Sequence, residues 1–482
     1  MSASRRWALV GARAMTGLLG IAAAVATVGA ATLLPWPSHI VQPNAELVTP
    51  TASGQQRVCP GPLLALAADA SAASSASSIG AADTLYAAGR SGSLSASDIT
   101  VSPLAAPDNV AGDVAGTPLL LSIPAADSAP LMAGAQSQTA TTETLSGFTA
   151  AGCGEASSDG WLVAGSTAIG HTSLLLLSNP SDVAASVDLR LYGEGGLVDA
   201  PGSTGILVQP QSQRVIPLAG LAPNLNSPVV HVATRGGQVV ASLQQSVIHG
   251  LVPGGIELAG TTAAPALEQL ISGFTVPAAL IDETQSNDSH FHDDQAAVRV
   301  LNTGADAAEL TVSATSDDGG NGASITVTLE PGVASEVPLS ELAAGNYTVR
   351  LNADQPIVAA ARSTEKSATS EDFAWFVASQ ALVDDSAIVV ADGPAPTLRL
   401  ANPHGNAQRV TLQDGSGTPL TVNLPAAGSV SVPLTAGASY TLGASETGGV
   451  VASVSYQGGA ALSSFALNPP GPLARAIAVY TH

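Results

Sequence analysis

The densest run of metal-competent side chains is Asp282-Glu283, followed by Asp288-Ser289-His290-Phe291-His292-Asp293-Asp294. In an extended backbone alternate side chains share a face. His290 and His292, flanked by Asp293 and Asp294, therefore have the residue types to hold zinc or another divalent ion. The run lacks the ligand pattern of a calcium loop, and it leads directly into the apolar stretch Val298 to Leu301. It reads as a solvated acidic loop in which His290, His292, Asp293 and Asp294 are the candidate metal ligands.

Nucleophilic catalysis is less well supported. Ser, His and Asp are all present, but no Gly-x-Ser-x-Gly elbow occurs, and His39, His171, His231, His249, His404 and His482 stand singly. The glycines mark turns rather than a phosphate cradle. No catalytic residue and no cofactor is expected, and the chain reads as non-enzymatic. Trp161 and Trp375 could offer faces for sugar stacking, although such rings more often fill cores and interfaces. Cys59 and Cys153 are the only two cysteines. In an exported chain they most simply pair with each other, and a loop that long gives a disulfide about 4 to 5 kcal/mol on the chain-entropy account.

The elements that must carry these residues are short strands. Three runs end on Asn: Leu174 to Asn179, Val298 to Asn302 and Leu398 to Asn402, with Pro180, Thr303 and Pro403 next. Asn tolerates left-handed backbone and bonds its own chain, and Pro withholds a ladder donor, so each copy reads as strand, then turn. Other landmarks recur in the same order. An aromatic strand comes first (Trp161, Phe274, Trp375), and an alternating strand follows the Asn (Val187-x-Leu189-x-Leu191, Leu310-x-Val312-x-Ala314, Val410-x-Leu412). Next is an apolar-Pro-Leu triplet (Ile216-Pro217-Leu218, Val337-Pro338-Leu339, Val432-Pro433-Leu434). The last is Val239 to Ser242, Ile357 to Ala360 and Val450 to Ser453.

Period-two apolar spacing half-buries each strand, so a second sheet must cover it. With 49 Gly and 32 Pro in 482 residues, turns are frequent and long helices are disfavoured. The expected class is all-β: tandem immunoglobulin- or fibronectin-like β-sandwich domains. The triplet proline belongs on an edge strand or at the end of a strand.

Before these repeats, Ala14 to Leu34 carry no charge, follow Arg5, Arg6 and Arg13, and precede Trp36. That length can cross a hydrocarbon layer of ~30 Å, and the arginines place the N-terminus in the cytoplasm. A cleaved secretory signal ending near Ala30 is the alternative; both imply export.

The expected organisation is a cytoplasmic N-terminus over 1–13, an anchor or signal over 14–34 and a tether over 35–56. An irregular β-rich segment over 57–158 follows, either a degenerate first sandwich or extra strands for the next. The three repeats then occupy 159–270, 271–372 and 373–482. The low-complexity run Ser71 to Ser78 reads as loop. Formal net charge is −22; so acidic a chain repels phosphate backbones, which excludes nucleic acid as a partner.

The anchor, the entry Cys59-Pro60-Gly61-Pro62, a second Cys shortly before Trp161, Val163 to Thr167 and Leu175 to Pro180 together resemble an uncharacterised family of exported actinobacterial proteins. Some of its members are labelled large extracellular alpha-helical proteins. The resemblance implies a membrane-anchored envelope protein, in many members encoded near glycosyltransferases, and supplies no catalytic residues. Thr303 in place of Pro and the His290 loop depart from the pattern. The expectation is a single-pass membrane protein with an extracytoplasmic C-terminal region, binding envelope proteins or, alternatively, cell-wall glycan.

Overall fold

The structure is a computed structural model that describes residues 22, 25, 45–48, 54–66, 75–90, 92–111, 116–124, 130–278, 295–319, 322–367, 369–415, 419–443, 448–469 and 477–480. The chain divides into two compact units, Met1–Pro50 with Arg475–His482, and Thr51–Ala474. In the first, Ala45–Val48 and Ile477–Tyr480 pair antiparallel. The expected span Ala14 to Leu34 lies outside the described residues except for Ala22 and Val25. No helix among the described residues is long and apolar enough to cross a membrane.

The second unit is all-β, and it builds one strand arrangement four times. The last copy is the simplest. Its eight strands are Ser386–Val389, Thr397–Ala401, Gln408–Asp414, Leu420–Leu424, Ser429–Pro433, Ser439–Gly443, Val451–Gly458 and Ala461–Leu467. The first, sixth, third and fourth make one sheet; the fifth, second, seventh and eighth make the other. Residues 159–260 repeat this order with Asp159–Val163, His171–Asn179, Ala185–Gly193, Ile206–Val208, Ser212–Pro217, Val229–Gly236, Val240–His249 and Val252–Gly260. Residues 266–377 repeat it again, except that the sixth and seventh strands are one continuous strand, Gly345–Lys366. Its first half pairs in one sheet and its second half in the other.

The N-terminal segment follows the same plan with strands missing. Gln55–Cys59, Leu119–Ile123 and Thr100–Pro103 take the first, sixth and third places. Asp83–Arg90, Leu131–Thr141 and Ser146–Gly152 take the second, seventh and eighth. No fourth strand is present among the described residues, and only the three-residue Ser93–Ser95 stands near the fifth place. We number these modules one to four from the N-terminus. The run expected to be loop ends in a strand: Ala76–Ser78 pairs with Leu64–Leu66, forming a hairpin under which Leu63, Leu64 and Ala76 are buried.

Two local rules explain the recurring residues. Asn179, Asn302 and Asn402 end the second strands of modules two to four and are fully buried. Each side-chain amide donates to the carbonyl four residues on and to the end of the fourth strand: Val183 and Val208, Asp306 and Leu329, Asn406 and Pro425. Each amide oxygen accepts the N–H two residues on. One Asn thus shapes the turn and ties it across the sheet. The apolar-Pro-Leu triplet ends the fifth strand, which lies at a sheet edge where a missing N–H costs nothing.

The expected aromatic landmark fails in one place. Trp161 and Phe274 lie on first strands, but Trp375 lies on the eighth strand of module three, Glu371–Val377, paired with the long strand before it. The first strand of module four is Ser386–Val389, which has no aromatic residue. Module three likewise opens at Ala266, ahead of residue 271.

The uninterrupted run Leu174 to Leu177 is buried on both faces. Leu175 and Leu177 join the core of module two, while Leu174 and Leu176 pack against module one through Leu63, Leu64 and Ala151. Strands buried on both sides lose alternation. The position of Leu176, three before the Asn, is Arg299 in module three and Arg399 in module four, and in each case it meets the preceding module. Arg299 donates to the carbonyls of Gly165, Pro228 and Asn226. Arg399 lies against Gly273, where an added Cβ would come 2.3 Å from its Cγ.

Candidate functional site

The four eighth strands, Ser146–Gly152, Val252–Gly260, Glu371–Val377 and Ala461–Leu467, pack against one another at the centre of the unit, one from each module. An eighth strand is a sheet edge, so its outer N–H groups need acceptors. One carboxylate supplies them. Asp372 accepts from Phe148 (2.8 Å) and Leu462 (3.3 Å) on Oδ2, and from Ile256 (3.2 Å) and Phe373 (3.1 Å) on Oδ1. Each module contributes one donor.

This register aligns the strands in layers. The layer holding Asp372 otherwise contains Gly147, Gly255 and Ala461. A Cβ on Gly147 would sit 2.6 Å from Asp372 Oδ1, and one on Gly255 2.9 Å from the same atom. Both glycines have positive φ, 147° and 115°, so conformation and space both require glycine. Two residues further along each strand the layer is Thr149, Glu257, Ala374 and Ser463. Ser463 Oγ lies 2.8 Å from Glu257 Oε2 and also bonds the backbone of Ala150, and Thr149 Oγ1 accepts the N–H of Leu258. Small residues thus surround one acidic side chain in each layer.

Burial pushes both carboxyls well up from their ordinary range, and for Asp372 the four N–H donors work the other way. A carboxylate has about four lone-pair sites. With two donors on each oxygen, no neighbour is left to accept a carboxylic proton, so Asp372 is best satisfied as the anion. Glu257, fully buried, is pushed up by burial first and then by the neighbouring Asp372 charge, against the Ser463 hydroxyl.

The sign of the pH effect follows. Glu257 holds its proton more tightly folded than unfolded, so its contribution is complete below the unfolded value of about 4.3 and is lost as pH rises toward the folded one. Glu257→Gln, a neutral isostere, should remove that alkaline loss. Melting temperature measured from pH 5 to pH 9 should fall less steeply for the variant than for the native chain, and parallel curves would refute the assignment.

The last residues of the four central strands, Gly152, Gly260, Val377 and Leu467, line one cavity of about 470 Å³. Trp161, Trp375, Met132 and Phe465 supply apolar wall, and Arg57, Glu155 and Asp159 supply charge. Burial pulls the Arg57 guanidinium down, and Glu155 at 3.7 Å partly restores it. Arg57 Nε is buried without a hydrogen-bond partner.

Neither sequence-flagged tryptophan presents an open face. Trp375 is 1% exposed, lies beneath Arg299 (4.6 Å) and Arg362 (5.6 Å), and donates Nε1–H to Gln245 at 2.7 Å. Arg299 is in turn held by Glu336 at 2.7 Å. Trp161 stacks on His231 at 4.2 Å. His231 meets Asp159 at 2.7 Å, but the Ser157 hydroxyl beside them donates to the Asp159 carbonyl. His290, His292, Asp293 and Asp294 lie outside the described residues, and among those described no group of three His, Cys, Asp or Glu is placed to hold a metal. Cys59 and Cys153 form the expected disulfide, joining the first strand of module one to the end of its eighth.

The central carboxyls were missed in the sequence. A usable signal existed in Glu257, an acid set within an otherwise apolar strand segment; Asp372, next to Glu371 at the start of its strand, offered none.

No curated protein matches the chain. The crystal structure of Thermotoga maritima 1070 is similar at 12% identity over 23% of this chain and 92% of its own, with a TM-score of 0.20, too low to carry an argument. The model of a family of unknown function, DUF5719, matches residues 110–445, from the third-to-sixth connection of module one into module four. That match spans most of the chain, which therefore belongs to this family of unknown function.

Proposed function

We propose that the protein is a non-enzymatic, membrane-anchored extracytoplasmic scaffold or protein-binding module of the cell envelope, built from tandem immunoglobulin-like sandwiches. The observation that carries this reading is where the buried ionisable groups lie. Asp372, Glu257, Arg299 and Arg399 each bridge modules or hold such a bridge. Chemistry at a site would need such groups facing a cleft; these four fasten modules together, and the buried cation that does reach the cavity, Arg57, lies beside Glu155. A rigid four-module body on a tether suits presentation of surfaces to partners. The acidic charge favours solubility and disfavours nucleic acid.

The test is in-situ crosslinking in the native envelope, followed by purification and mass spectrometry. Reproducible recovery of defined envelope proteins is expected; recovery of none would count against the scaffold. A second reading, glycan binding, is favoured by one observation: the cavity sets the polar groups of Arg57, Glu155 and Asp159 beside Trp161. Saturable binding of cell-wall polysaccharide to the purified extracytoplasmic region, lost in a folded Trp161→Ala variant, would select it.

A further inference from the structure

Modules two to four show what belongs at one side of this fold, and among the described residues module one leaves that side open. In the complete modules a fifth strand runs along the second, with Ser212–Pro217 on Leu174 to Asn179, Ala334–Pro338 on Ala297 to Leu301 and Ser429–Pro433 on Thr397–Ala401. In module one the corresponding second strand, Asp83–Arg90, is paired on that side only at Ala88 to Arg90, by Ser93–Ser95. Among the described residues nothing pairs with the backbone of residues 83–87 on that edge. No fourth strand is present among the described residues either, so among them Thr100–Pro103 is also an edge.

The side chains agree with a missing piece. Val298 and Val300, or Leu398 and Leu400, are fully buried on the second strands of modules three and four. On module one Tyr86, Ile99 and Val101 are only half-buried, and they surround a small core that the Cys59–Cys153 pair helps to hold, while Leu85 packs on the cluster shared with module four.

We infer that this side of module one accepts an extended segment of a partner protein as a donated β-strand. Unpaired edge amides and carbonyls give such a segment its affinity, and pockets for alternate side chains give it selectivity. The three internal fifth strands define its chemistry: five or six residues with apolar positions facing the core and an apolar-Pro end. Each internal fifth strand also continues a contact with the preceding module. Val215 N–H bonds Asp108 of module one, Glu336 bonds Ser227 of module two, and Ser429 and Ser431 bond Asp317 of module three. A strand at module one would extend the interface with module four, which is already joined where Gly92 N–H meets Thr441 Oγ1. On this strand Asp83 is exposed at one end and Arg90 at the other, in a chain of net charge −22, which favours a segment with Lys or Arg at the end that meets Asp83.

This inference names the partner class for the scaffold reading and rests on it for a partner's existence. The test uses the full chain and a synthetic peptide copying residues 428–435, with an added lysine at each end. Hydrogen–deuterium exchange at saturating peptide should slow at least tenfold at residues 83–87 and stay unchanged in modules two and three. A peptide N-methylated at alternate positions should give no protection, and neither should the native peptide on Tyr86→Lys, whose side chain packs on the module-one core. If Tyr86→Lys does not fold, the N-methylated peptide supplies the contrast on the native chain.

Protection that misses residues 83–87 or reaches modules two and three, or equal protection by both peptides, overturns the inference. So does slow exchange at residues 83–87 in the chain alone, which assigns the edge to a cover within this chain. Slow exchange that appears only with rising protein concentration assigns it to a second copy and overturns it too. Peptide binding without any envelope partner in the crosslinking experiment would count against the scaffold alone; envelope partners without peptide binding would count against this inference alone.

Discussion

Asp372→Asn should weaken the four-module body more than any other single conservative substitution. The amide keeps one acceptor oxygen, so at most two of the four N–H groups stay bonded, while the other two face an NH₂ group that can only donate. Each buried donor left without an acceptor costs about 1 to 3 kcal/mol, which gives roughly 2 to 6 kcal/mol for the pair. Because the lost bonds come from different modules, the damage should appear as lost cooperativity as well as lost stability. In urea the native body is expected to unfold in one transition and the variant in separated steps. Glu257→Gln is the control, since it changes a carboxyl two residues along the same axis without orphaning a backbone group. A single transition for Asp372→Asn, shifted by less than 1 kcal/mol, would show that the central carboxylate does not hold the modules together.

Local chemistry was legible in the sequence, and long-range assembly was not. Asn179, Asn302 and Asn402 announced strand ends because their role is settled within a few residues, and the carbonyls across the sheet only add to it. The apolar-Pro-Leu triplet announced an edge strand for the same reason, since the missing N–H of proline is a property of the residue itself. Trp375 misled because an aromatic in a strand says that the strand is buried, not which strand it is. In module three the fused strand Gly345–Lys366 removes the turn that would have marked the count.

The central layer was illegible for a stronger reason. Gly147, Gly255, Asp372 and Ala461 come from four distant segments, and nothing local says that they share a plane. Glycine in a strand hints only at some close approach. The openness of module one was half legible. Its irregular sequence left two alternatives, and the strand order of the described residues matches that of the other modules, without a fourth strand and with only a short piece near the fifth place.

The double variant Cys59→Ala/Cys153→Ala should destabilise module one first. The two residues are 94 apart, and closing a loop of that length is worth about 4 to 5 kcal/mol on the chain-entropy account. The bond's position makes the loss local. Cys59 ends the first strand, in one sheet, and Cys153 follows the eighth, in the other, so the bond clamps the two sheets of the module that lacks a fourth strand and a full fifth. Its buried core is small, with Ala88, Leu121, Ile123 and Met132 beside the two cysteines, and small cores commonly need a staple. Hydrogen exchange in the variant should therefore accelerate across residues 54–152 before it changes in residues 266–377. Both cysteines are under 10% exposed, so the native bond should resist mild reductant until the module opens. Uniform acceleration through all four modules would mean that the disulfide acts on the assembly as a whole. No acceleration at residues 54–152 would mean that strand pairing alone suffices to close module one.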